Sequence, residues 1–460
     1  MKTRKGARAL ARFKVRKDET LEIPGALSFR LLKRRKRRAP FLSISLLLIA
    51  PCLALLLSGC ATPQVSYNVF RADKLAAMDA AIETAIAGNQ CPGGVLWLER
   101  NGTPYHKAYG HRALVPKREA MTENTIFDMA SLTKVVATTP AVMLLVERGQ
   151  VKLDAPVRTY LPEFTGDGRE LVTVRELLTH TSGLPPDIET KTGWLGWTTA
   201  IKKACAEKLE SPPGTAVKYS DINFILLGEI VQRVSQTPLQ VFVQREIYGP
   251  LKMTDTGFLP PQKKLSRIAP TELINGGASV PASRLVSSLA PPKTDAAHLA
   301  CWRGVVHDPT ARHMGGVAGH AGLFSTAPDL ARYARMMLNL GELDGVRIFK
   351  PETVKAMTSV QTPPGMPVRR GLGWDIDSPH SGPRGGLFPI GSYGHTGWTG
   401  GSLWLDPFSK TFVIFLSNRN HPTEAGNVMA LRRKLGTLAA EAVVGFDFTN
   451  VPAAPGPAAR

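Results

Sequence analysis

The sequence predicts an α/β (α+β) fold: an antiparallel sheet built from both chain termini, flanked by helices, with an inserted mainly helical lobe. Three observations predict it. Strand-like segments cluster at the two ends of the body, GGVLWLERNG and TPYHKAYGHR at 93–112 and KTFVIFLSN at 410–418. Between about 150 and 257 the pattern is helices and loops with little strand character. The chain of 460 residues, 43% hydrophobic and 20% charged, can bury a large core.

The head of the chain is set apart by charge. Residues 1–40 hold fifteen Lys/Arg and three acids, whereas residues 41–60 hold no charge. Twelve of the twenty net positive charges therefore lie in the head, and eight remain for 61–460. A basic cluster, Lys33 to Arg38, precedes an apolar run from Phe41 to Leu57, then Ser58, Gly59 and Cys60. This is the layout of a secretory signal, with positive charge kept on the cytoplasmic side. An uncleaved signal anchor is the competing reading, because the run approaches the length that spans a bilayer. The stretch before Lys33 is long for such a signal and points to a start further downstream. Because the basic cluster abuts this segment, no nucleic-acid partner is expected.

Residues 61–71 form a tether, 72–445 one folded domain and 446–460 a disordered tail. Within the domain, ADKLAAMDAAIETAIAG has helical spacing with Gly88 as the stop. Asn101-Gly102 is the turn of a hairpin. Ser131 to Gly149 reads as one long apolar helix, which Pro140 should kink at a cost that neighbouring groups must compensate. Residues 258–300, rich in Pro, Ser and Ala, read as a surface excursion. Thr326 caps a helix with Asp329 at its third position. GLGWDI, GSYGHTGW, GSLWLDP and KTFVIFLSN are successive strands, with PFSK as a turn, and a helix near 425–444 closes the domain. Outside the head, Cys91, Cys205 and Cys301 are widely spaced, which is neither a disulfide framework nor a metal pattern; one pair is possible in an oxidising compartment.

The chemistry is concentrated in short motifs. Ser131 and Lys134 in ASLTK are three apart, so a helix puts them on one face. A serine needs activation, and a lysine supplies it only when neutral, which requires burial or nearby positive charge. Alone, this spacing is weak. Tyr219 in KYSDINF and His395, Thr396 and Gly397 in YGHTGWTGG follow in order. The series S-x-x-K, Y-S-[ND], [KH]-T-G resembles the serine β-lactamase and penicillin-binding protein superfamily, in its class C β-lactamase, carboxypeptidase and esterase branch. LLTHTSGLP, PGT and GHAGLFSTAPDLARYA extend the resemblance over about 72–445. LSGC resembles the lipobox of bacterial lipoproteins, with Cys60 as the lipidated residue.

The resemblance implies roles. Ser131 is the acylated nucleophile, Lys134 holds or relays its proton, and Tyr219 is the general base. The backbone N–H groups of Ser131 and Trp398 form the oxyanion hole. Asp221, His395, Thr396 and Gly397 contact substrate. Two positions depart from the pattern. His395 replaces the Lys of many relatives and brings a titratable cation; Asp221 replaces the Asn of class C β-lactamases. Both changes weaken the case for β-lactam hydrolysis. His307, Asp308, His313 and His320 lie in GVVHDPTARHMGGVAGHAG, where a metal site is possible by residue type, but the spacing fits no familiar site and the superfamily is metal-free. His307–Asp308 is expected as a structural pair, His180 as a loop histidine before a capping Gly183, and Trp194, Trp197 and Trp398 as core or acyl-pocket residues. No cofactor is implied.

The expected function is that of a lipid-anchored periplasmic serine hydrolase, first a D-alanyl-D-alanine carboxypeptidase acting on cell-wall peptide. A carboxylesterase acting on a small ester or amide comes next, then a β-lactamase. A non-catalytic binding lipoprotein is the reading of a different class. Ala61 after Cys60 resembles outer-membrane sorting in Gram-negative bacteria. The oligomeric state is left open.

Overall fold

A two-residue turn sets the register of the sheet. Asn101 and Gly102 both take positive φ, +50° and +79°, the type I′ geometry that matches strand twist. They join β1 (Gly93–Arg100) to β2 (Thr103–Ala113). The computed structural model describes residues 69–191, 193–274 and 301–451. The signal segment, Cys60, the tether through residue 68, residues 275–300 of the expected excursion and the tail from 452 lie outside them.

The remaining strands are β3 (Glu119–Ala120), β4 (Phe127–Asp128), β5 (Gly257–Phe258), β6 (Leu323–Ser325), β7 (Glu342–Leu343), β8 (Val346–Arg347), β9 (Arg369–Arg370), β10 (Asp375–Asp377), β11 (Tyr393–Thr396), β12 (Ser402–Asp406) and β13 (Thr411–Ser417). The main sheet is antiparallel, in the order β3-β2-β1-β13-β12-β11-β10-β9. It joins both ends of the domain, as the sequence predicts. A small sheet, β4-β6-β5, and the β7–β8 hairpin complete the strands.

Central strands are buried on both faces, so they read as near-continuous apolar runs rather than alternations. Val95 and Trp97 of β1 face one hydrophobic cluster; Leu96 and Leu98 face the other. The second cluster is covered by α1 (Ala72–Ala87) and the C-terminal helix. The first takes in α2 (Thr139–Glu147), α3 (Val174–Thr179), α4 (Trp197–Ala206), α5 (Asp221–Ser235), α6 (Leu239–Val243), α7 (Pro309–His313), α8 (Ala327–Leu338) and α9 (Pro351–Thr358). The closing helix is α10 (Met429–Ala442). Thr326 caps α8 by accepting from the Asp329 N–H. Cys91 and Cys205 are buried in different clusters and do not pair with each other. Among the described residues no helix is long and apolar enough to cross a membrane.

Three expectations change. The helix after Ser131 is not regular: Lys134–Thr138 form a π turn that runs into α2. Pro140 offers no N–H, and the freed carbonyls find other donors. The buried hydroxyls of Tyr333 and Tyr248 donate to the Val135 and Val136 carbonyls, at 2.7 and 3.2 Å. Within the expected excursion, 258–267 are exposed or half-buried, but 268–271 are buried, with Ile268 packed against Ile126 and Phe324. The tail begins later than 446: Phe448–Asn450 form a turn, and the Phe448 ring meets Phe388 edge-on at 5.6 Å.

Candidate active site

Ser131 follows a strained residue. Ala130 takes φ +45°, a region that residues with a Cβ rarely adopt. The buried Asp128 carboxylate holds this bend, accepting the Ala130 N–H at 2.8 Å and the His307 N–H at 2.7 Å. Burial raises the Asp128 carboxyl above its ordinary range, and the two N–H bonds oppose that rise. The Asp128 carbonyl accepts from the Thr399 hydroxyl at 2.7 Å, which ties the bend to the turn after β11. Gly397 makes the approach possible, since a Cβ there would lie 2.5 Å from the Met129 carbonyl oxygen.

Lys134 is fully buried by the π turn. Its Nζ donates to Ser131 Oγ at 3.0 Å and to the His320 carbonyl at 3.1 Å. It stands 2.6 Å from Asp221 Oδ1. Burial works to strip its proton, but the Asp221 carboxylate, then Tyr219, outweighs burial and holds the ammonium above its ordinary pKa. The neutral amine that a lysine base requires is therefore disfavoured here, which leaves the base role with Tyr219, as the resemblance implies. Lys134 is a charged donor, and the Ser131 proton is left for another acceptor.

Tyr219 lies just before α5. Its ring stacks on His180 at 4.4 Å and lies 5.0 Å from Lys134 Nζ. His180 is not a plain loop residue: it is itself the left-handed C-cap of α3, in place of Gly183. Its Nδ1 accepts from the Ser220 N–H at 3.0 Å. Burial, then the Arg370 and Lys134 charges, drives its pKa well down. The neutral imidazole is thus a floor for the phenol.

Asp221 opens α5, but its carboxylate is on Lys134 rather than on the cavity wall. His395 is buried, with Nδ1 2.8 Å from the Thr396 carbonyl. Burial, then Arg370 and Lys134, lowers its pKa far below the usual histidine range, so the expected strand cation is absent. A cation beside the Tyr219 ring is Arg370, which the sequence reading missed and which lines the cavity together with Arg419 and Arg432. It is 2% exposed, its guanidinium carbon lies 5.9 Å from the Tyr219 ring, and its Nη groups reach Gly373 and Asp375. Its Nε has no protein acceptor among the described residues.

A cavity of about 680 Å³ collects Ser131, Tyr219, Arg370, His395, Thr396, Gly397 and Trp398. Neither the Ser131 nor the Trp398 N–H donates to a protein acceptor among the described residues. Trp398 is 61% exposed at the cavity, with Arg419 over its ring at 4.5 Å. Trp194 donates to the Glu189 carbonyl and Trp197 to Glu229; neither lines this cavity.

The histidine-rich segment pairs differently from expectation. Asp308 pairs with His320 at 2.9 Å and caps α7, while His307 meets Glu424 at 2.6 Å. A Cβ at Gly319 would lie 1.9 Å from the Phe224 carbonyl oxygen, so glycine lets this segment press on α5 and bring the His320 carbonyl to Lys134. Among the described residues, Asp221, Asp308 and His320 place potential ligand atoms within 4.8 Å of one another. Each already has a protein counter-charge: Asp221 has Lys134, and Asp308 has His320. Chemically, the arrangement can deprotonate and acylate a serine while two N–H groups receive an oxyanion.

Known proteins resemble this chain over most of its length. The beta-lactamase family model matches residues 78–438. An Escherichia coli K12 protein named "Putative D-alanyl-D-alanine carboxypeptidase" is 33% identical over 405 residues, covering 80% of this chain and 90% of its own. The N-acetylmuramyl-L-alanine amidase of Bacillus subtilis 168 is 33% identical over 396 residues, covering 78% and 85%. A solved penicillin-binding protein homologue from Caulobacter crescentus superposes with a TM-score of 0.61 at 23% identity, over 80% of this chain and 98% of that one. At that identity the likeness is one of fold.

Proposed function

Because the chain belongs to the beta-lactamase family and is a serine hydrolase, we propose that it acts as a D-alanyl-D-alanine carboxypeptidase on cell-wall peptide, through an acyl-enzyme on Ser131. The observation that carries this reading is Ser131 Oγ at 3.0 Å from Lys134 Nζ, in a cavity that also holds Tyr219, Arg370 and two unbonded N–H groups.

In this reading the Tyr219 oxygen, with the Lys134 ammonium beside it to carry negative charge, accepts the Ser131 proton. Oγ attacks the carbonyl of the penultimate residue, and the Ser131 and Trp398 N–H groups take the oxyanion. The C–N bond to the terminal residue breaks, and the leaving amine receives the proton back from Tyr219. Water, activated by the same oxygen, then hydrolyses the ester. Arg370 meets the terminal carboxylate, the place a strand lysine has in relatives, while Thr396 and the backbone of Gly397 align the peptide.

Export and tethering through a lipid on Cys60 complete the proposal. Lys33 to Arg38, the uncharged run and LSGC support it. Mass analysis of the mature N-terminus tests it: a diacylglyceryl-Cys60 end is expected, and retention of residues before Cys60 refutes the anchor.

The activity test is turnover of four substrates: a D-Ala-D-Ala peptide, a nitrophenyl ester, a chromogenic cephalosporin and an N-acetylmuramyl peptide. Ser131→Ala is the control. Release of D-Ala by wild type only is expected. Cleavage of the muramyl amide instead supports a second reading, favoured by the Bacillus subtilis relative. Ester cleavage alone refutes the peptidase. No turnover and no adduct with a fluorescent penicillin indicates a binding protein.

A further inference from the structure

The turn that carries the Trp398 N–H is braced by a residue far away in sequence. Arg432, in the first turns of α10, is 8% exposed and makes no ion pair with a carboxylate among the described residues. Its guanidinium donates to three backbone carbonyls of that turn. Nη2 reaches Gly397 O and Gly401 O, each at 2.6 Å, and Nε reaches Gly400 O at 3.3 Å. Burial, then the Arg419 charge, works against the cation, but arginine stays protonated at neutral pH.

The Gly397 carbonyl and the Trp398 N–H belong to one peptide unit. A charged donor at 2.6 Å on that oxygen fixes the plane of the unit and draws electron density toward the oxygen. The N–H at the other end becomes a stronger donor, because hydrogen bonds in series polarise one another. The turn is held elsewhere too: Arg419 Nε donates to the Trp398 carbonyl at 2.6 Å, and the Gly397 N–H to the Gly401 carbonyl at 2.8 Å. Among the described residues, only Arg432 places a cation on the peptide that ends in the Trp398 N–H.

We propose that Arg432 is a positioning residue for the reaction, orienting and polarising the Gly397–Trp398 peptide so that its N–H binds the oxyanion. The inference rests on the reading of that N–H as an oxyanion donor. A guanidinium that only glued α10 to the sheet would affect stability, but would be indifferent to the atom that bears the developing charge.

The test uses that difference. A nitrophenyl ester and its thionoester differ in whether oxygen or sulfur takes the charge, and sulfur is a poor acceptor for a preorganised N–H. The kcat/KM ratio of oxygen to sulfur ester is measured for wild type, Arg432→Met and Arg432→Lys, with thermal melts alongside. The expected result for Arg432→Met is a loss in kcat of about 10- to 100-fold on the oxygen ester, with KM little changed. The oxygen preference should collapse in step, and Arg432→Lys should recover part of both. If Arg432→Met does not fold, Arg432→Lys is read the same way, with a smaller but definite loss of preference. A variant that keeps the wild-type ratio, whatever its overall activity, overturns the role of Arg432. A wild type with no oxygen preference, or with no turnover of either ester, overturns the oxyanion reading and this inference with it.

Discussion

Replacing Asp221 by Asn removes one charge at nearly constant volume. The carboxylate stands 2.6 Å from Lys134 Nζ. At an effective dielectric constant of about 20, unit charges at that separation attract by about 6 kcal/mol. The Asp221 side chain is 22% exposed, so solvent screens part of this, and a loss of roughly 3 kcal/mol is expected on breaking the pair. In the fold, Lys134 titrates above its ordinary value of 10.5. The pair's stabilisation is therefore fully present below that pH and fades as pH rises through the folded pKa. In Asp221→Asn, burial loses its largest opponent, with Tyr219 still acting against it, and draws the ammonium toward neutrality. The alkaline limb of the activity profile should then move down by one or more units. The assay is kcat/KM on a nitrophenyl ester between about pH 6 and 10, with urea melts at neutral pH. Wild type should hold its activity to the alkaline end, while the variant declines from about pH 8. Superimposable profiles, with stabilities within about 0.5 kcal/mol, would refute the claim that Asp221 keeps Lys134 charged.

Other expectations concern the neighbouring groups. Tyr219→Phe keeps the ring on His180 and removes only the oxygen, so kcat should fall by about 10²- to 10⁴-fold at an unchanged melting temperature; retained activity would remove Tyr219 from proton transfer. His395→Asn should leave the shape of the pH profile unchanged between about 5.5 and 7.5, because the buried imidazole is already neutral there; an inflection lost in the variant would contradict this. Arg370→Met should cost a carboxylate-ended peptide about 10- to 100-fold more in kcat/KM than an ester, the value of a hydrogen bond to a charged group. Equal losses on both substrates would make Arg370 structural.

What could be read from the sequence follows from the range of the interactions. Asn101-Gly102 specifies its turn by the conformations its own residues tolerate, and Thr326 caps by reaching three residues along. Ser131 and Lys134 are neighbours through one helical turn, so their spacing alone brings them together. Tyr219 and His395 became legible only through motif resemblance, because nothing local joins them to Ser131. The misread pairs are long-range. His307 and Asp308 are adjacent at the entry to α7, His307 in a bend and Asp308 as the N-cap; each pairs with a residue brought in by the fold, Glu424 or His320. The π turn at Lys134 depends on two tyrosine hydroxyls from distant helical segments. Arg370 and Arg432 carried no local signal, since an arginine that bonds carbonyls and one that faces solvent look alike in a sequence.

The two departures from the family pattern, His395 and Asp221, act as one change. Each makes the site less positive than a Lys and an Asn there would. Arg370 offsets part of this, and its charge is among the causes that keep His395 neutral. A lysine at 395 would therefore enter a site already holding the cations of Arg370 and Lys134. His395→Lys should be destabilising in the wild type but tolerated with Arg370→Met, because the pair of changes moves the cation across the Tyr219 ring without adding one. Rings 219 and 395 are 6.1 Å apart, and the Arg370 guanidinium lies 5.9 Å from ring 219, so the groups are close enough to couple. The double-mutant cycle should give a favourable interaction of about 1–2 kcal/mol in stability, and the double variant should regain part of the peptide turnover that Arg370→Met loses. Additive losses in both measurements would mean that Arg370 does not stand in for the strand lysine, and that the charges at 221, 370 and 395 were set independently.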